Sequence, residues 1–288
     1  MTRSRLYGLT CLAMVAFAGN SLLCRLALRH TLIDPVSFTV VRLASGACVL
    51  WLIVRSLQPV GKGDGNWLSA AALLSYALAF SLAYTQLTAA TGALLLFGAV
   101  QATMIGHGLL RGETLRPRQW AGCTLALLGL GALLLPGLTA PPPGSAALMA
   151  GAGLAWGIYS LRGKGAGDPT RITAGNFLRT LPMVAAVALM AVWLPLGAHL
   201  RIDAAGFAYA VASGALASGV GYAVWYAVLP SLKSVQAASV QLSVPLITAV
   251  GGIAILGESF SLQLVAASAA ILGGIALVIH EQAVRKSG

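Results

Sequence analysis

Asn20, Ser21, Gln101, Ser218, Gln241 and Ser243 are amides and hydroxyls set inside long apolar runs. Facing lipid they would lose their hydrogen bonds, so they are expected to face a protein interior. Aromatic residues recur beside them at helical spacing. Tyr76, Phe80 and Tyr84 repeat every four residues and share one helix face, Trp156 pairs with Tyr159, and Tyr222 groups with Trp225 and Tyr226. Amides and hydroxyls recognise a solute; a serine hydroxyl turns nucleophile only beside a general base, and no acid pair accompanies these residues. With aromatic faces beside them they suit an amphipathic or aromatic solute that has left water. The candidate substrate-binding set is Asn20, Tyr76, Phe80, Gln101, Trp156, Tyr159, Tyr222, Gln241 and Ser243. Trp51, Trp67, Trp120, Trp193, Tyr84, Trp225 and Tyr226 stand near the ends of the apolar runs and are assigned to interfacial belts.

Charged chemistry is sparse in the same runs. All seven acids fall in loops or at helix ends, so the carboxylates that usually relay protons or sodium are missing from mid-span positions. Arg42 and Arg179 lie inside spans at matching depths, about 10 Å from the nearer surface at 1.5 Å per residue. They are read, with Pro245, as structural or gating residues: the arginines clamp helix-end carbonyls, and the proline frees a carbonyl near Gln241. Arg25, one turn from its helix end, is expected to snorkel to lipid phosphates. His107 is read as a helix-end histidine near Arg111. No lysine lies mid-span, no serine has a histidine partner at matching depth other than His107, and the four cysteines form no ligand spacing. An enzyme is therefore not expected, nor a cofactor or a metal.

The elements that must position these residues follow from composition. Of 288 residues, 58% are apolar and 9% charged, against about a quarter charged in soluble domains. Spans are expected at 6–28, 35–54, 67–87, 92–110, 119–135, 145–162, 172–196, 205–229, 235–256 and 261–279. Arg3 and Arg5 followed by Ala16-Phe17-Ala18 look like a cleavable leader. The apolar run continues to Leu28 and has a counterpart later in the chain, so retention is expected. With both termini inside, thirteen Lys and Arg fall in cytoplasmic segments and two, Arg29 and Arg201, outside. That bias accounts for most of the net charge of +11 without nucleic acid. The expected partners are a small-molecule substrate and the lipid bilayer.

Landmarks repeat between the halves. Gly112-Glu113 closes the fourth span and Gly257-Glu258 the ninth. Asp34-Pro35 precedes Arg42, and Asp168-Pro169 precedes Arg179. Ala18-Gly19 lines up with Trp156-Gly157. The reading is an all-α polytopic membrane protein of ten transmembrane helices. Residues 1–138 and 139–288 form two five-helix repeats, inverted because five is odd, around a central cavity.

In the order of these motifs, with Pro245 followed by Leu256-Gly257-Glu258, the chain resembles the drug/metabolite transporter superfamily of the EamA type. The resemblance implies a ten-helix exporter of small metabolites in a bacterial inner (plasma) membrane, similar to the aromatic amino-acid exporters of that group. The chain departs from the family pattern at Phe17-Ala18-Gly19, where Trp-Gly is frequent, and at Val100-Gln101, where proline is common. The rival reading is a channel-like pore or an intramembrane enzyme acting on a small lipid-soluble substrate.

Overall fold

The computed structural model describes residues 2–57, 64–112, 114–134, 141–163, 167–193, 200–232, 240–259 and 261–287, with the backbone alone at 57 and 280–287. The described residues form ten helical spans: α1 Arg3–His30, α2 Pro35–Leu57, α3 Trp67–Tyr84, α4 Ala89–Leu110, α5 Pro117–Leu134, α6 Pro143–Gly163, α7 Pro169–Trp193, α8 Ala204–Ser231, α9 Ser243–Leu256 and α10 Leu262–Ser287. Seven are long and apolar enough on their own to cross a membrane. Exposed residues within the helices such as Leu127, Leu128, Leu189, Leu216 and Val250 form the surface that faces lipid.

Helix starts are written in the sequence. Pro opens α2, α5, α6 and α7, where its missing N–H is not needed. The two Asp-Pro landmarks are caps: Asp34 Oδ1 accepts from the N–H groups of Val36 and Ser37, and Asp168 Oδ1 from that of Arg171. Asn66 and Thr88 cap α3 and α4 in the same way. The turn glycines of the two Gly-Glu landmarks share a left-handed backbone, φ 84° at Gly112 and 62° at Gly257. Glu113 and the 138/139 boundary lie outside the described residues.

Packing follows a two-fold pattern in which α1 to α5 exchange with α6 to α10. Helices α5 and α10 pair with each other, as do α2 with α7 and α4 with α9. The remaining main contacts come in matched couples: α3 on α6 with α1 on α8, α4 on α6 with α1 on α9, and α2 on α8 with α3 on α7. This is the arrangement of two inverted five-helix repeats around a central cavity.

Helix α8 departs from regular geometry. Nine residues, Ala212–Val220, are wound as a π-helix, a form that is rare beyond a single turn and concentrates at functional sites. It lies against α2 so closely that a methyl group at Gly214 would collide with the Arg42 carbonyl and the Ser45 hydroxyl. The ninth span, expected from 235, is described from residue 240 and is also irregular. Residues 240 and 241 are helical, a turn interrupts at Leu242, and α9 proper starts at Ser243. Pro245 then sits in its first turn, where no intrahelical N–H is required.

Candidate functional site

A cavity of about 900 Å³ runs from the middle of the bundle to one of its ends. Helix α1 contributes Asn20, α3 contributes Tyr76 and Phe80, and α4 contributes Gln101. Trp156 and Tyr159 come from α6, Tyr222 from α8, and Gln241 from just before α9. Eight of the nine sequence-predicted binding residues thus line one space. The ninth, Ser243, is not in the lining; its hydroxyl donates to the Val240 carbonyl at 2.6 Å.

The blind end of the cavity carries a connected aromatic wall. Tyr76 lies 5.4 Å from Phe80 and 4.9 Å from Trp156, ring centroid to centroid. Trp156 stacks on Tyr222 at 5.4 Å and on Tyr159 at 5.3 Å. Polar atoms are threaded through this wall. The Ser213 hydroxyl, on the π-helical stretch, donates to Asn20 Oδ1 at 2.7 Å, and Asn20 Nδ2 donates to the Tyr76 hydroxyl at 3.3 Å. Asn176 Nδ2 donates to the Tyr159 hydroxyl at 3.4 Å. Among the described residues no cluster of His, Cys, Asp or Glu could hold a metal ion.

The two pseudo-equivalent arginines part company. Arg179 donates through Nη1 to Gly175 O, one turn back in its own helix, and to Asp64 O in the segment before α3. Arg42 reaches no helix-end carbonyl. Its guanidinium is 2% exposed, donates through Nη2 to the Tyr76 hydroxyl at 3.2 Å, and lies 5.3 and 5.1 Å from the ring centroids of Tyr76 and Phe80. Its Nε and Nη1 are buried with no partner. The divergence has a local cause: the aromatic face of α3 stands opposite Arg42 and offers ring faces and a phenol in place of a helix end.

Four expectations are corrected. Arg25 does not snorkel: it is 2% exposed, its Nε meets Glu258 Oε1 at 3.1 Å, and its Nη1 donates to Tyr84 O at 2.8 Å and Thr85 O at 3.2 Å. Glu258 Oε2 in turn accepts from the N–H of Ala89, which opens α4, at 2.8 Å. A buried charge needs an opposite charge and further hydrogen bonds, and this knot of α1, α3, α4 and α9 supplies both. Tyr84 and Trp225 are not interfacial, being 0% and 6% exposed. The Tyr84 hydroxyl donates to Ala89 O, and Trp225 packs on Phe17 at 6.0 Å. Tyr226, the third, lines the cavity behind Tyr222. Trp51, Trp67, Trp120 and Trp193 are exposed, as belt residues are.

The cavity and the knot lie at different depths. Beyond the aromatic wall, His107, Leu109, Thr114, Leu115, Gly163 and Pro169 line the cavity. They belong to the end where α4 and α6 stop and α5 and α7 begin, beside Arg111, Arg116, Arg118 and Arg162. The Arg25–Glu258 knot closes the opposite end, where Asp34 Oδ2 also accepts from Arg201 N at 2.7 Å. Phe17, Ser160, Thr173 and Asn176 line the cavity without having been singled out. The signal for Asn176 was available, a buried amide eight residues into a span, between Asp168-Pro169 and Arg179.

Comparison with known proteins adds three findings. The model of the EamA-like transporter family matches residues 5–135 and again 144–280. An uncharacterised protein of Pseudomonas aeruginosa is 57% identical over 272 residues, covering 94% of this chain and 93% of the relative. A solved crystal structure, 19% identical, superposes over 100% of both chains with a TM-score of 0.66, a likeness of fold.

Proposed function

This chain belongs to the EamA-like transporter family, and from that premise we propose that it exports small amphipathic metabolites, amino acids with aromatic side chains among them, by alternating access across a bacterial inner (plasma) membrane. The observation that carries the reading is a cavity of about 900 Å³, lined by amides and stacked aromatic rings, that reaches one end of the bundle and stops short of the other. A carrier in one of its two forms has this profile. The closed end supports the same view, because the Arg25–Glu258 knot joins the two repeats across the path a solute would follow. In an inverted repeat the second form arises when the two halves exchange conformations around the same midplane site.

The arginine-rich end is the cytoplasmic one by the positive-inside rule. The cavity in this form therefore loads from the cytoplasm, with both termini on that side. The test is counterflow of radiolabelled solute in proteoliposomes over an amino-acid panel. Trans-stimulated exchange of phenylalanine or tyrosine is the expected outcome. Flux without trans-stimulation would mark a pore, and no flux across the panel would remove amino acids from the proposal.

A further inference from the structure

The geometry points to the Arg42–Tyr76 pair at the blind end of the cavity as a receptor for a carboxylate on the transported solute. This rests on the transporter reading and narrows its substrate class. The Tyr76 oxygen accepts from Arg42 Nη2 at 3.2 Å and from Asn20 Nδ2 at 3.3 Å. A phenol oxygen has two lone pairs and one hydrogen. With both lone pairs engaged, the hydrogen is left to donate, and Tyr76 lines the cavity. The site therefore presents one hydrogen-bond donor whose oxygen is already polarised by a guanidinium.

Charge makes the second argument. Arg42 is 2% exposed, and its Nε and Nη1 have no partner. A guanidinium stays protonated in a protein. No Asp or Glu occurs among the described residues lining the cavity. The buried positive charge faces ring faces and a phenol, with no carboxylate among the described residues in contact with it, a condition that is costly unless something else supplies the negative charge. A carboxylate entering the cavity accepts the Tyr76 hydrogen with one oxygen, a charge-assisted bond of the stronger class, and Arg42, behind Tyr76 and outside the cavity lining, acts on it through the phenol. The ring of the same solute stacks against Trp156, next to Tyr76. An ammonium group finds repulsion there, and a neutral amide offers an acceptor without the charge.

Two kinds of solute share this chemistry, zwitterionic aromatic amino acids and the monoanions left when the amine is absent. The test measures equilibrium binding to purified full-length protein in detergent. The probes are phenylalanine, 3-phenylpropionate, phenylalanine amide and phenethylamine. Both carboxylates are expected to bind at least tenfold more tightly than the amide and the amine, and their order tells which kind of solute the site prefers. Tyr76→Phe removes the donated hydrogen and is expected to weaken the carboxylates at least tenfold while leaving the amide within about twofold. Arg42→Gln abolishes the carboxylate preference, and Arg42→Lys, which keeps the charge and guards against misfolding, retains part of it. The proposal is overturned if neither carboxylate binds at millimolar concentration. It is also overturned if the amide or amine binds as tightly as the carboxylates, or if the substitutions weaken all four probes equally. Carboxylate-selective binding without flux in proteoliposomes would uphold this site and sink the transporter reading; flux without carboxylate selectivity would do the reverse.

Discussion

The two ends of the bundle are built from equivalent helices, and most of their stitching is equivalent too. At the arginine-rich end, Asn66 and the carbonyl of Asp64 tie the start of α3 to Asn176, Arg162 and Arg179 of α6 and α7. At the other end, Asp203 and the backbone of Arg201, just before α8, are tied to Leu32 and Asp34 between α1 and α2. Among the described residues the ends differ at one corner. Where α9 turns at Gly257, Glu258 reaches Arg25 and the start of α4; where α4 turns at Gly112, the cavity passes out beside His107 and Leu109. Among the described residues the closed end is thus distinguished by a carboxylate that joins the starts and ends of α1, α3 and α4 at one Gly-Glu corner.

Breaking the closed corner is the largest effect expected. Arg25→Ala leaves the Glu258 carboxylate buried without its cation, and removing one partner of a buried pair costs about 3–5 kcal/mol. Thermal unfolding in detergent is expected to fall accordingly. A cysteine at Asn20 is expected to become reactive to an impermeant maleimide from the non-cytoplasmic side; unchanged reactivity would mean the knot does not close the path. The shared cavity comes next. Gln101→Ala and Gln241→Ala are expected to slow transport of every substrate by roughly tenfold to a hundredfold, the loss of one buried hydrogen-bond partner. Trp156→Ala is expected to hurt aromatic solutes more than aliphatic ones, by about 0.5–1.5 kcal/mol of lost ring contact. Equal small effects across a substrate panel would turn these residues into packing.

A smaller effect sharpens the contrast between the halves. Arg179→Ala removes hydrogen bonds to carbonyls outside the cavity and is expected to lower stability by about 1 kcal/mol, with substrate selectivity unchanged in a competition assay. The smallest concerns energy coupling. No carboxylate lines the described cavity, so a protonophore is expected to leave exchange in proteoliposomes nearly unchanged, and His107→Ala to make no difference to that result. Abolition of flux by the protonophore in the parent, lost in His107→Ala, would promote the histidine to a coupling site.

How much of this was legible depends on the reach of the interaction. Span positions, caps and the repeat are local or periodic, so Asp34-Pro35, Asp168-Pro169 and the two Gly-Glu turns mark them in the sequence. Asn20, Gln101 and Gln241 turn inward as polarity requires, since each amide would be costly facing lipid, whereas Tyr76 and Trp156 were legible from the spacing of aromatic residues beside them. Arg25 was misread because its position one turn from a helix end is also that of a snorkelling residue, and its partner lies 233 residues away. Tyr84 and Trp225 failed for the same reason. Proximity to a span end does not say whether that end faces lipid or is buried by a neighbouring helix. The π-helical stretch of α8 carries no periodicity of its own, only Gly214 and Gly219, which read equally as ordinary close packing.

The Arg25–Glu258 knot also sets a clock on biosynthesis. At about 5–20 residues per second, the 233 residues between the two take roughly 12 to 47 s to emerge. Throughout that interval the guanidinium of α1 has no carboxylate from α9. The first five helices therefore enter the membrane with the corner opposite the arginine-rich end unfinished, and the nascent chain gains its seal only when nearly all of it has been translated.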